Sequence, residues 1–376
     1  MPKRKRAVAT EKTAVLRPQA IPPALDPRRL HQQAEASARA ILKAGRAKNT
    51  DKSYASALRY WAAWFRLRFD EAFTLPVAAA TVVQFLTDHI QRPATEHGDD
   101  EQLVSDLPPS IDAALVEGGF KNAVGPLALS TIEHRLYVLS AVHTRRELPN
   151  PTQELAVREL LRAARRAYAA RGAEPRRKTA LTRDPLEAMV ATCTDGVRGL
   201  RDAALLLVGF ASGGRRVSEI VAMTRARLRH VVPADGSPAY YLYELGVTKG
   251  DQTATRDDRL KPIKGAAAAA LRAYLEATAI TSGRLWRRMH HDRLGEKPLT
   301  AQGVRHLLAR RVQLAGLDGD YSPHSIRRGY VTEAGNQRMP PAAAQRLSGH
   351  KSLAVFMEYF DAGDAANNPA GELMGK

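Results

Sequence analysis

The 376 residues are 44% hydrophobic, enough to give two globular domains a core each. Apolar runs such as Ala203 to Ala211 fall short of the roughly 18 to 20 residues a spanning helix needs, so no membrane association is expected, and the lone Cys193 excludes an internal disulfide and a cysteine-built zinc site. The 57 Lys and Arg against 39 Asp and Glu leave a charge of +18, which suits a polyanionic partner, nucleic acid first.

Residues 1–46 open with Pro2-Lys3-Arg4-Lys5-Arg6 and carry 11 Lys and Arg against 3 Asp and Glu, with scattered prolines. Such a composition buries little surface and reads as a flexible basic segment, either a phosphate-holding arm or a solvated tail. No signal-peptide pattern opens the chain, so the expected location is the cytoplasm, in association with the nucleoid of a bacterial cell.

Residues 47–172 read as a small helical domain of four helices. The first follows Thr50 as N-cap, with Tyr54, Leu58, Trp61 and Phe65 at spacings of three and four, an apolar stripe more suited to a core than to base stacking. The second runs from Pro76 to about Gln91. Residues 94–118 then hold seven acids and no Lys or Arg, and read as an inserted loop that turns away from DNA. A third helix is expected from Ser130, with Glu133 completing a capping box. The fourth, from Asn150-Pro151 to near Gly172, sets Val157, Leu161, Ala164 and Tyr168 on one face and Arg158, Arg162 and Arg165 on another. That basic stripe suits a duplex backbone, or is an ordinary solvated face. Residues 173–180 form a short basic linker whose Arg177 and Lys178 are further candidate DNA contacts.

From 181 to 376 helices alternate with one small sheet. Helices are expected from Thr182, over Leu200 to Ala211, and from Val217. Strands follow at Leu228 to Val232, Ala239 to Gly246 and Arg259 to Ile263, a meander whose last turn contains Lys249. Helices return at Gly265 to Ala279, Ala301 to Ala315, Pro323 to Ala334, Pro340 to Leu347 and Leu353 to Phe360.

Five short stretches of this half carry chemistry. Gly213-Gly214-Arg215-Arg216-Val217-Ser218-Glu219 links two helices, and Lys249 ends a strand. His324-Ser325-Ile326-Arg327 sets an imidazole and a guanidinium at i and i+3 on one helix face. Gly349-His350 ends a helix, and Tyr359 follows nine residues later. Taken singly, each has an ordinary role available: Arg216 as a surface partner of Glu219, Lys249 as a turn lysine, His324 as a helix-start residue, Tyr359 as core beside Val355 and Phe356. His290, His291 and His306 lack a matching partner at ligand spacing and read as surface or core.

Jointly and in this order, the stretches resemble the tyrosine site-specific recombinases, the family of phage integrases. The family's R-[VI]-S-E pattern falls on Arg216 to Glu219 and selects Arg216 over Arg215. Its hairpin lysine falls on Lys249, its H-x-x-R on His324 and Arg327, its G-H on His350 and its nucleophile on Tyr359. The resemblance implies a mainly α protein of two domains, a helical, SAM-like core-binding domain and an α+β catalytic domain with a small antiparallel sheet, clamped around DNA. It implies double-stranded DNA with specific sites as partner, a homotetramer on two sites with a dimer on each, and no cofactor or metal. A type IB-like topoisomerase, or a catalytically silent DNA-binding relative, is the alternative. The leucine usual before G-H is replaced by Ser348, a change expected to leave catalysis alone.

The side chains fit the chemistry. A phosphodiester under attack concentrates negative charge on its non-bridging oxygens, and the forked, permanently charged guanidinium groups of Arg216 and Arg327 can hold them. His350 would add a hydrogen bond. A tyrosine hydroxyl with an ordinary pKa near 10 must shed a proton as it attacks, with His324 as acceptor, and Lys249 can protonate the departing 5′ oxygen. The expected product is a 3′-phosphotyrosyl link that conserves the phosphodiester energy.

Overall fold

The computed structural model describes residues 30–45, 48–94, 103–173, 178–248, 259–290 and 293–364. The chain divides into two compact units, Met1–Pro175 and Arg176–Lys376. Among the described residues no helix is long and apolar enough to cross a membrane.

The first unit contains α1 (Leu30–Ala44), α2 (Lys48–Phe69), α3 (Ala79–His89), a two-residue antiparallel pairing of β1 (Arg92–Pro93) with β2 (Leu103–Val104), α4 (Pro109–Glu117), α5 (Leu129–Arg145) and α6 (Leu155–Ala170). Its core gathers Tyr60, Trp61 and Trp64 of α2, Val82, Phe85 and Leu86 of α3, Ile132, Leu136 and Leu139 of α5, and Val157, Ala164 and Tyr168 of α6. Trp61 stacks on Phe85 with ring centroids 3.9 Å apart, and its indole N–H donates to the Arg135 carbonyl. Of the expected stripe, Trp61 is core and Phe65 packs against it, whereas Tyr54 and Leu58 are only half-buried outside it and Tyr60 and Trp64 take the buried face.

Several local expectations fail here. Residues 30–44, read as part of a flexible segment, form a helix with exposed Ile41 and Leu42. Thr50 lies inside α2 rather than capping it, and the second helix begins at Ala79, not Pro76. The N-cap of α5 is Ala128, without a side-chain cap, so the Ser130–Glu133 capping box does not form; packing of Ile132 and Leu136 holds that end instead. The acidic segment is not a plain loop. It contains α4, which starts on Pro109 and inserts Leu115 fully into the core, and apolar burial outweighs the surrounding charge. Asp112 of this helix pairs with Lys121. Asn150 does cap, but it caps a 3-10 turn at Pro151–Gln153 before α6 begins.

The second unit contains α7 (Arg183–Ala191), α8 (Gly196–Ala211), α9 (Val217–Val221), the antiparallel sheet β3 (Leu228–Val231), β4 (Tyr240–Glu244) and β5 (Leu260–Ile263), then α10 (Gly265–Thr278), the hairpin β6 (Arg287–His290) with β7 (Arg293–Pro298), α11 (Ala301–Leu314), α12 (Pro323–Asn336), α13 (Pro341–Ser348) and α14 (Leu353–Asp364). The β3-β4-β5 meander matches the expected one, with Leu228 opposite Tyr243 and Tyr241 opposite Ile263. The β6–β7 hairpin was not anticipated, because Arg287 to Pro298 is largely charged and carries little apolar alternation. The main core lies between α8, α10, α11 and the sheet. A smaller one, of Tyr330, Val331, Ala334, Ala344, Phe356 and Phe360, joins α12, α13 and α14.

Candidate active site

The site is assembled where α8 hands the chain to α9. Helix α8 ends at Ala211, and Gly213 (φ 98°) and Gly214 (φ 64°) turn the backbone through the left-handed region. A Cβ at Gly213 would lie 2.4 Å from the Leu347 carbonyl oxygen, and one at Gly214 would lie 2.7 Å from Arg327 Cα. The turn thus runs directly against α12 and α13, and the next two residues emerge beside them.

These two arginines part ways. Arg215 is 2% exposed; its Nη2 donates to the carbonyls of Leu347 (2.7 Å) and Gly213 (3.2 Å) and ties the turn to α13. Arg216 precedes α9 with its side chain 32% exposed. Its Nη1 donates to Glu219 Oε1 at 2.9 Å, and its backbone N–H donates to Oε2 of the same carboxylate. Glu219 is buried and also stands 3.6 Å from Arg215 Nη1, so one carboxylate orients both guanidinium groups.

Helix α12 supplies the next pair. Ser322 accepts from the His324 N–H and Pro323 occupies the first turn, so the helix starts abruptly with His324 on its exposed side. Arg327, one turn on, is buried. Its Nη1 donates to the carbonyls of Gly214 (3.1 Å) and Ser348 (2.7 Å), while its Nη2 is buried without a hydrogen-bond partner. Burial, then repulsion from Arg216 and Arg215, pulls the Arg327 pKa down to about 9. An anion held between these groups would remove that repulsion and satisfy the open donor.

His350 follows Gly349, which ends α13 in the left-handed conformation. Burial, with the charges of Arg327, Arg216 and Arg215 and the nearby His324, pushes its imidazole down to about 3. His324 is lowered too, first by desolvation and then by Arg327, Arg216 and Arg328. Both rings are therefore neutral at pH 7. These mutual influences place Arg216, His324, Arg327 and His350 in one cluster.

Tyr359 lies on α14, half-buried at the edge of the smaller core. Phe356 and Phe360 anchor that helix, and Gly363 lets it approach α12 so closely that a Cβ there would lie 2.0 Å from the Thr332 carbonyl oxygen. The Arg328 guanidinium lies 5.4 Å over the Tyr359 ring, a favourable position against its electron-rich face.

Lys249 and Arg177 lie outside the described residues. Lys178 pairs with Asp320. Arg158 and Arg162 are exposed on α6, while Arg165 is held by Glu133 at 2.6 Å. The sequence reading set Arg215 aside in favour of Arg216, took Ser348 as a neutral change and did not single out Arg328. An arginine adjacent to a motif position, or a serine two residues before a motif histidine, carries no signal until the packing is known.

Residues 179–365 match the model of the phage integrase family. Among curated proteins the chain is 27% identical to an integrase/recombinase XerD homolog of Selenomonas ruminantium over 69% of this chain and 76% of the relative. It is 31% identical to the tyrosine recombinase XerC of Herpetosiphon aurantiacus over 44% of this chain, spanning about half (49%) of that protein. The fold is similar to that of the XerH site-specific recombinase bound to palindromic difH substrate, with a TM-score of 0.52, 13% identity and coverage of 86% of this chain and 80% of the other. It is also similar to the Tn1549 transposon integrase in complex with transposon right end DNA, with a TM-score of 0.51, 15% identity and coverage of 89% and 98%.

Proposed function

Because the chain belongs to the phage integrase family of tyrosine site-specific recombinases, we propose that it cleaves and rejoins DNA strands at specific sites through a 3′-phosphotyrosyl intermediate on Tyr359. One observation carries the assignment of the site: the buried, unpartnered Nη2 of Arg327, set among Arg216, His324 and His350. An open guanidinium donor in a cluster short of negative charge is what a phosphodiester would fill.

In this reading Arg216 and Arg327 hold the non-bridging oxygens, and Glu219 keeps Arg216 in place. The neutral His324 takes the Tyr359 hydroxyl proton as the phenolic oxygen attacks phosphorus. The bond to the 5′ oxygen breaks, and Lys249 supplies that oxygen's proton. Attack by another strand's 5′-hydroxyl reverses the steps and releases Tyr359. Arg158, Arg162, Arg165, Arg177 and Lys178 would hold the backbone away from the scissile phosphate, with Arg165 exchanging Glu133 for a phosphate. The working assembly is a homotetramer, a dimer on each of two sites, in the bacterial cytoplasm.

The test is a nicked duplex that carries the chain's own site and traps the cleaved product. Wild type should form a covalent adduct resistant to denaturant, and Tyr359→Phe should form none while still binding the duplex. An adduct with Tyr359→Phe, or none with site-bound wild type, overturns the reading. Relaxation of supercoiled DNA without site preference would favour the topoisomerase alternative.

A further inference from the structure

We propose that Ser348 is a positioning residue that fixes which ring nitrogen of His350 carries the proton, so that His350 meets the substrate with a bare Nε2. The inference rests on the recombinase reading for its catalytic meaning, but its geometry stands apart from it. Ser348 is 1% exposed at the end of α13, and its hydroxyl donates to the Gln345 carbonyl at 3.0 Å. A serine hydroxyl has one proton. With that proton committed, the Ser348 Oγ, 2.8 Å from His350 Nδ1, acts as the acceptor, and Nδ1 carries the hydrogen.

The arrangement is held from several sides. Arg327 Nη1 grips the Ser348 carbonyl, Gln345 Nε2 donates to the His350 carbonyl, and the ring faces Phe356 at 5.7 Å. The charged and titratable groups acting on the ring are Arg215 and Arg216 from the turn before α9, and His324 and Arg327 from α12. All three arginines oppose protonation, and the ring is neutral at pH 7. A neutral ring with hydrogen on Nδ1 can only accept through Nε2.

His350 therefore does not donate to a phosphoryl oxygen in the free protein. It becomes a donor only after Nε2 takes a proton from solvent, which becomes favourable once the phosphate charge offsets the arginines. Engagement of the scissile phosphate is then linked to proton uptake at one imidazole. A residue with no hydroxyl at position 348, such as the leucine usual in the family, leaves Nδ1 without this partner, which makes the substitution consequential rather than neutral.

Nitrogen-15 NMR of the histidine-labelled full chain tests this, with the His350 signal assigned by its loss in His350→Gln. Wild type at pH 7 should show the Nδ1–H tautomer. Ser348→Ala should move His350 toward the Nε2–H form, and Ser348→Thr should restore the wild-type signal. In the trapping assay, wild-type cleavage should fall about tenfold per pH unit above the pKa that His350 acquires in the complex, and Ser348→Ala should flatten that limb. A wild-type Nε2–H tautomer, or an unchanged tautomer in Ser348→Ala, overturns the proposal. Because the tautomer is read without DNA, an adduct formed by Tyr359→Phe would sink the recombinase mechanism and leave this assignment intact.

Discussion

Arg327 shows what a single side chain contributes. Its Nη1 is spent on two backbone carbonyls, and the buried Nη2 is left as a donor that an anion would fill. Its residue type and its spacing from His324 are readable in the sequence, whereas the open donor is not, since it depends on Gly214 and Ser348 occupying the other nitrogen. His89 illustrates a buried imidazole with a purely structural role. Its Nδ1–H donates to the Phe85 carbonyl at 2.7 Å and its Nε2 accepts from the Tyr60 hydroxyl at 2.8 Å. Burial lowers its pKa from 6.5 to about 4. A histidine lowered on folding gives its full contribution above pH 6.5 and loses it as pH falls toward 4, because protonation then favours the unfolded chain. The loss from this residue should reach about 3 kcal/mol at pH 4. Urea unfolding at pH 7 and pH 4 should show His89→Gln losing about that much less than wild type between the two; an equal loss would contradict the assignment.

At the scale of elements, helices with an apolar stripe were legible because burial imposes a period near 3.6 on the sequence. Their ends were not. Ser130 and Glu133 have capping-box spacing, yet the packing of α5 begins the helix at Leu129. Helix α4 was hidden by seven acids around a single deeply buried leucine. The ends of α8 and α11 meet in an ion network equally invisible in sequence. Arg311, fully buried, donates from Nη2 to Asp202 at 2.7 Å and Asp195 at 2.6 Å, and from Nη1 to the Thr192 carbonyl at 2.7 Å. Arg201 shares Asp202. Removing Arg311 leaves buried carboxylate charge short of a partner, so Arg311→Ala should destabilise by about 3 to 5 kcal/mol. A change under about 1 kcal/mol in equilibrium urea unfolding would show that the network is no more than surface pairing.

For the whole molecule the charge of +18 is the controlling quantity, and almost half of it lies in residues 1–46, net +8. If that segment neutralises DNA phosphates, its removal should make the plot of log binding constant against log salt concentration shallower, each lost phosphate contact reducing the slope by roughly 0.9. An unchanged slope would mean a solvated tail.

The sequence by itself named the candidate cast. Arg216, Lys249, His324, Arg327, His350 and Tyr359 stand in the order of the family's motifs and carry the functional groups that phosphoryl transfer would use. It also conveyed the helical periodicity and the β3-β4-β5 meander. Only the tertiary structure decided that Arg215, the arginine the motif sets aside, is a buried strut, that Arg327 keeps a donor open, and that the Ser348 hydroxyl meets His350 Nδ1. Each depends on contacts across more than a hundred residues or on a left-handed turn at Gly213-Gly214 or Gly349, where a small change in backbone direction redirects a whole side chain. Residue type is written locally; which atom faces which is set by packing.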